Sequence, residues 1–272
     1  MEPISRDMLQ PLMTAHRGNA IFRRALERLP DGDALLSLLG RYVHFNATFG
    51  GCVANLAGEI AIRQNLFRDA SDPIPILADR SVEVASDVIA AAIDEFDDRA
   101  TTHRDTHRTL AQATLRAAGQ FFGKSTAELN ALFQPDAATL EAIRGVHAGY
   151  GVNRRLEDAD ILRALGFHAA SEVLADEEFR FLDECLRGRF PQLVAALQGA
   201  KVRINGEEHA AYYWIHIHTS VEADHFAFAL QGANRALGCY TGSIPDARSW
   251  ILEGFAQFAD LQTKFMESLL SW

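Results

Sequence analysis

The sequence predicts an all-α protein that folds as a single helical domain of seven to nine helices over residues 1–272. Three observations carry this prediction. Apolar residues recur at three- and four-residue spacing along most of the chain. Apolar residues make up 48% of the chain and charged residues 23%, which is ordinary globular usage. No linker, repeat or low-complexity segment divides the chain, so one helical bundle follows.

The predicted helices are separated by breakers that contain Pro or Gly. Helical periodicity covers 7–28, 33–68, 80–97, 101–121, 136–148, 157–188, 208–236 and 246–270. Ser125 and Glu128 have the spacing of a capping box, which predicts a further short helix. Residues 201–207 alternate in polarity and contain Asn205-Gly206, so this segment is a short β-hairpin or an extended loop.

The charge and composition exclude several kinds of partner. The formal charge of −10 repels phosphate backbones, so we expect no nucleic-acid partner. No apolar run approaches the roughly 18 residues that a membrane span needs, and no basic amphipathic stretch suggests a membrane surface. The N-terminus lacks a signal peptide's apolar core, and Cys52, Cys185 and Cys239 are odd in number and far apart. We therefore expect a cytoplasmic protein with reduced thiols.

The strongest chemical signal is a set of three residues, His218, Glu222 and His225. Their i, i+4, i+7 spacing puts them on one face of an α-helix. The flanking segments 212–215 and 226–230 are strongly apolar. A buried carboxylate is costly unless something compensates its charge, and a divalent metal does so. The pattern favours a metal site over an exposed polar face.

Helix-bundle metal sites take ligands from several helices, so further carboxylates are expected in apolar stretches. Glu59 is the only acid in its apolar segment, although an ion pair with Arg63 would also explain it. Glu95 extends an apolar row but lies among other acids, as in a solvated helix end. Glu172 is a third candidate, and a bond to His168 at i−4 would also explain it.

One further imidazole is expected from the stretch 101–121. His107 shares a face with apolar residues, and His103 lies one turn earlier on the same face. Either histidine could also be a surface residue, and the spacing does not choose between them.

The order of these residues resembles that of the haem-oxygenase-like diiron oxidases, fold relatives of the thiaminase and pyrroloquinoline-quinone-synthase proteins. That group has a Glu in an early helix, then a Glu followed by a His with a Gly some turns later. A third Glu comes mid-chain, and the set closes with His-x3-Asp-x2-His. The metal ligands that the resemblance implies are Glu59, Glu95, His107, Glu172, His218, Glu222 and His225.

The resemblance covers roughly residues 35–240 and has departures. The step from Glu95 to His107 is longer than in the group, so Asp97 is an alternative ligand. His107 is favoured over His103 because Gly119 follows it by 12 residues. Glu222 stands where the group has Asp.

The resemblance implies a haem-oxygenase-like bundle whose metal site lies between helices in residues 50–230. It implies two Fe(II) ions, with O₂ as co-substrate, and oxidation of a small molecule. A free aliphatic amino acid is favoured, through desaturation, oxidative cyclisation or N-oxygenation in a bacterial natural-product pathway. An external electron donor and a homodimer are compatible with it.

Two alternatives stay open at this point. One is a metal-free, thiaminase-like hydrolase, although no motif surrounds any of the three cysteines. The other is a non-catalytic ligand-binding protein of the same fold.

Overall fold

The computed structural model describes residues 2–271, apart from the side chains of Thr14 and of residues 220–223, and the described chain is all-α. Thirteen helices and one two-stranded sheet make up this part of the protein. In chain order they are α1 (Arg6–Ala15), α2 (Gly18–Glu27), α3 (Gly32–Asn46), α4 (Phe49–Ala61), α5 (Ser81–Ala90), α6 (Ile93–Phe96), α7 (His107–Phe121), α8 (Thr126–Leu132), α9 (Ala137–Gly149), α10 (Asp158–Arg189), α11 (Pro191–Gly199), β1 (Lys201–Ile204), β2 (Glu207–Ala210), α12 (Tyr213–Cys239) and α13 (Ile244–Ser268).

Helix α10 is the centre of the bundle and packs most extensively against α12 and α13. Two glycines allow the close approach of α10 and α13. A Cβ at Gly166 would lie 1.8 Å from the carbonyl oxygen of Ile251, and a Cβ at Gly254 would lie 1.8 Å from that of Arg163. The backbones therefore touch at these positions, where no side chain fits.

Buried aromatic rings fill the space between α2, α3, α10 and α12. The ring of Tyr42 lies 5.1 Å from that of Phe22, 5.6 Å from Phe179 and 6.2 Å from Trp214. Each such ring buries a large apolar area and prefers the offset or edge contacts seen here. This aromatic core adjoins the candidate site, because Phe179 and Trp214 also contact His218.

The all-α class is confirmed, but the helix count of seven to nine was too low. Apolar residues keep helical spacing across short breaks in the backbone, so stretch 7–28 became α1 and α2, and 80–97 became α5 and α6. Stretch 33–68 is broken after α3, where the Thr48 hydroxyl donates to the carbonyl of His44. Helix α7 begins only at His107, because Arg104 has a φ of 54° in the preceding loop.

The predicted capping box is present, and the alternating segment near Asn205-Gly206 forms a hairpin. Ser125 and Glu128 form the reciprocal capping box that begins α8. Residues 201–210 form a hairpin, in which β1 pairs antiparallel with β2. The positive φ angles of Asn205 (51°) and Gly206 (90°) give the turn between the strands.

Two further observations concern the chain as a whole. The three cysteines are free thiols, with Cys52 buried and Cys185 and Cys239 half-buried. Among the described residues, no helix combines the length and the apolar character that crossing a bilayer requires.

Candidate metal centre

Helix α12 carries two buried histidines on the face that the spacing predicts. His218 and His225 are buried, whereas His216 and Asp224 on other faces are exposed. Glu222 lies in the same helix, but its side chain is outside the described residues, so its part in the site stays a prediction. The apolar flanks of α12 pack into the core, and this packing takes the two imidazoles inside.

The single-turn helix α6 brings two carboxylates to these histidines. It follows a break at Ala92 and carries Asp94 and Glu95 side by side. Gly50 of α4 permits the close packing, since a Cβ there would lie 3.0 Å from the Cβ of Glu95. The short helix α6 packs against α4 and turns its acids inward, although the sequence of this segment resembles a solvated helix end.

Glu95, His107 and His218 form one cluster, which we call the Glu95 cluster. Oε1 of Glu95 lies 2.9 Å from Nδ1 of His107 and 3.6 Å from Nε2 of His218. The two imidazole centroids are 4.6 Å apart. One ligand atom from each residue lies within 4.8 Å of the other two, so the three groups are close enough to hold a metal ion.

The second nitrogen of each histidine in this cluster faces a polar group of the protein. Nδ1–H of His218 donates to the carbonyl of Trp214 at 2.7 Å, which leaves Nε2 facing Glu95. Nε2 of His107 lies 3.5 Å from Oδ2 of the buried Asp98. Metal-binding histidines usually have such a partner on the nitrogen that does not bind the metal, because it fixes the tautomer and the ring orientation.

Asp94, Glu172 and His225 form a second group, which we call the His225 cluster. Nε2 of His225 lies 3.1 Å from Oδ2 of Asp94, and Nδ1 lies 3.7 Å from Oε2 of Glu172. The other oxygen of Glu172 is 3.2 Å from Nδ1 of His168, the i−4 contact that offered the alternative explanation for Glu172. Nδ1 of His168 also lies 3.1 Å from the Tyr150 hydroxyl. His168 therefore orients Glu172, which faces His225 as well.

The lowered pKa values of Glu95 and Asp94 favour the anionic forms of these two carboxylates. Burial alone would raise the pKa of Glu95, but the hydrogen bonds and charges of His107 and His218 outweigh burial and hold the pKa well below its ordinary value. Burial likewise opposes the lowered pKa of Asp94, which the contact with His225 produces. The pKa of His107 is raised, since Glu95 outweighs the effect of burial. Metal ligands must be deprotonated, and these carboxylates already are.

A cavity that opens to solvent adjoins both clusters. Glu95, Glu172, His218 and His225 line it together. Its remaining wall is mostly apolar, formed by Phe45, Phe49, Gly50, Val53, Ala91, Ala92, Ala175 and Phe258 with the polar Asn46, Ser171 and Glu178. A few convergent polar groups in an apolar pocket are typical of a small-molecule site.

The other candidates belong to neither cluster. His103 is half-buried, with Nδ1 3.6 Å from Oε1 of Glu207 on the hairpin. Asp97 pairs with Arg104 at the surface. Glu59 is half-buried on α4 and does not line the cavity, and Arg63 pairs with Asp158 rather than with it. Its role as a ligand stays a prediction.

The donor set fits a divalent transition metal. Imidazole nitrogens and carboxylate oxygens are the ligands that iron, manganese and zinc share. Oδ1 of Asp94, a buried atom, has no hydrogen-bond partner within the described part of the chain. Buried polar atoms are normally satisfied, so this oxygen points to an ion or water at the site.

Sequence reasoning missed Asp94 and Asp98. Both lie in the acidic run 94–98, which resembles a solvated helix end. Their burial depends on the break at Ala92 and on the loop 97–106, and neither feature has a periodic signal.

The comparisons with known proteins leave the family open. A scan against protein-family models finds no match. A search of curated proteins also finds no significant sequence similarity.

Proposed function

We propose that this chain is a non-haem diiron enzyme that oxidises a small molecule with O₂. The observation that carries the proposal is that the Glu95 cluster, whose ligand atoms are close enough to hold a metal ion, and the His225 cluster both adjoin one cavity with a largely apolar wall. The order of the ligand residues, with its resemblance to the haem-oxygenase-like diiron oxidases, supports iron over other metals.

The two clusters divide the ligands between two ions. Glu95, His107 and His218 would hold one iron, and Glu172 and His225 would hold the other, with Asp94 beside it. Two ferrous ions supply the electrons that activate O₂, which amino-acid side chains alone do not. The protein fixes the ligand positions and excludes water with the apolar wall.

The cavity argues for a small substrate. Phe45, Phe49, Val53 and Phe258 line it, and they would contact an aliphatic side chain. A free aliphatic amino acid fits this chemistry and is the substrate class that the resemblance favours. We propose desaturation, oxidative cyclisation or N-oxygenation as the reaction class, in a bacterial natural-product pathway.

A thiaminase-like reaction is disfavoured by the state of the cysteines. Burial raises the pKa of the Cys52 thiol to about 12, so it is protonated at neutral pH. The pKa values of Cys185 and Cys239 are also raised, chiefly by burial. None of the three lines the cavity as the described residues form it.

The setting of the enzyme follows from the same proposal. Reduced thiols and the acidic charge are compatible with the cytoplasm. Repeated turnover would require an external electron donor, and a homodimer is compatible with the fold.

The test is turnover by the iron-loaded protein. Chelator-treated protein is loaded with ferrous iron without oxygen, exposed to O₂ with a panel of free amino acids and fatty acids, and the products are read by mass spectrometry. We expect an O₂- and iron-dependent mass change in an aliphatic amino acid. Turnover of fatty acids alone would refute the proposed substrate class but would leave the diiron proposal standing. Tightly held zinc with no iron-dependent turnover would refute both.

A further inference from the structure

A second group of potential metal ligands lies outside the cavity, beside strand β2 of the hairpin. Asp105 precedes α7, and Glu207 and His209 belong to β2; we call them the hairpin cluster. One ligand atom from each lies within 4.8 Å of the other two. None of the three takes part in the proposed diiron site.

His209 is the decisive residue of the hairpin cluster. It is only 3% exposed. Its Nε2 lies 3.3 Å from the carbonyl oxygen of Ile204. A carbonyl only accepts, so Nε2 carries the hydrogen, and in a neutral imidazole Nδ1 is then a bare lone pair.

That lone pair faces a carboxylate. Nδ1 of His209 is 2.9 Å from Oδ1 of the buried Asp105, yet it has no hydrogen-bond partner among the residues that the structure describes. Two acceptor atoms this close repel each other unless a cation lies between them or beside them. Glu207 brings a second carboxylate to the same point and increases the need for positive charge.

We propose that the hairpin cluster binds one divalent transition-metal ion of the zinc class. Zinc takes His nitrogen and carboxylate oxygen at about 2.0–2.2 Å, which brings ligand atoms to the spacing seen here. The bond from His209 to the carbonyl of Ile204 is the outer contact that usually orients a metal-binding imidazole. Three protein ligands leave a fourth position for water, bordered by His103, whose ring lies 6.0 Å from that of His209.

The ion has a structural role in this position. It joins β2 to the loop 97–106, which connects α6 to α7. The same loop holds Asp98 beside His107. The proposal does not depend on the diiron assignment, because the two sites share no ligand.

The experiment counts zinc bound by the full-length chain. Chelator-treated protein is dialysed against zinc alone, and zinc per chain is measured by mass spectrometry for wild type, Asp105→Asn, His209→Ala and the control Glu208→Gln. Glu208 is an exposed acid of the same strand that pairs with Arg203. Circular dichroism checks the fold of each variant.

We expect wild type and Glu208→Gln to bind one more zinc ion than Asp105→Asn and His209→Ala. Losing a ligand should weaken this site at least about 100-fold, more than the loss of an outer contact costs. Asp105→Asn keeps the side chain's shape and serves as the test if His209→Ala does not fold. His218→Ala, in the interior site, should retain the hairpin ion.

Two results would overturn the proposal. Equal zinc in wild type and Asp105→Asn would mean that a proton, not a metal, separates His209 from Asp105. Loss of the ion in Glu208→Gln as well would mean that zinc only collects around the negative charge of the hairpin.

Discussion

Glu95 is the residue on which the Glu95 cluster depends, because one of its oxygens faces both His107 and His218. Its anionic state is maintained by those imidazoles against the effect of burial on its pKa. Asp94, the preceding residue in the chain, faces His225, which lowers the pKa of Asp94 against the effect of burial. Two adjacent acids thus serve two clusters, which explains how a single helical turn can supply both.

The first prediction compares His107 with His103. We expect His107→Ala to lower iron affinity by at least about 10–100-fold, because it removes an imidazole from the Glu95 cluster. His103→Ala should leave iron content and turnover near wild type, since His103 faces Glu207. Iron per chain and turnover, measured beside circular dichroism, check both. A dead His103→Ala beside an active His107→Ala would contradict the geometry.

At this scale, sequence reasoning identified the buried histidines of α12 because their spacing has the helical period. Helical spacing could not choose between His107 and His103, since both share one face, and only the resemblance favoured His107. In the structure, α7 begins at His107 and His103 lies in the loop before it. The sequence could not identify Asp94 and Asp98 as site residues, because their burial depends on contacts with residues that are distant in the chain.

At the scale of helices, the contact of α10 with α13 positions Glu172. Gly166 lies on α10 between its N-terminus and Glu172, and it touches the backbone of α13. This close packing sets the distance at which α10 presents Glu172 to α12. The helical pattern predicted both helices, but it contains no signal for which faces meet.

The second prediction concerns this contact. Gly166→Ala should lower the free energy of unfolding by at least about 1–3 kcal/mol, because the added methyl group meets backbone that cannot move aside. Gly188→Ala is the matched control on the same helix, where a Cβ meets nothing within 4 Å. It should be neutral or stabilise by roughly 0.5–1 kcal/mol. Urea unfolding of both variants is the measurement, and equal stabilities would disprove the close packing.

The start of α9 shows how a cap joins three helices. The Asp136 side chain accepts from the backbone N–H of Thr139 and lies 3.1 Å from the buried guanidinium of Arg41, which also donates to the carbonyl of Ser268. Burial alone would raise the pKa of Asp136, but the hydrogen bonds from Thr139 and the charge of Arg41 outweigh it and hold the pKa below 3.8.

The third prediction is the pH dependence of this pair. A lowered pKa in the folded state stabilises the protein above pH 3.8 and loses that effect as the pH falls through the folded value. Asp136→Asn keeps the cap and removes the charge. We expect it to cost about 1 kcal/mol or less at pH 7 and still less near pH 3. Urea unfolding at the two pH values checks this, and a difference that grows at low pH would show the opposite sign.

At the scale of the whole molecule, the bundle brings polar side chains from several helices together at one cavity whose remaining wall is mostly apolar. α6, α7, α10 and α12 carry the candidate ligands near the cavity, and α3, α4, α13 and the turn after α5 supply most of its apolar wall. The all-α class followed from periodicity, whereas the convergence of four helices depends on packing that the sequence pattern does not encode.

The most direct test of the central claim is anaerobic ferrous titration with iron counted per chain. Asp105→Asn serves as the reference because it excludes the hairpin cluster from the count. We predict about two irons per chain in this reference, as two clusters require, and a loss of iron when His225→Ala is added. Full iron retention with His225→Ala would contradict the account, because the α12 histidines would then be no more than a buried polar face.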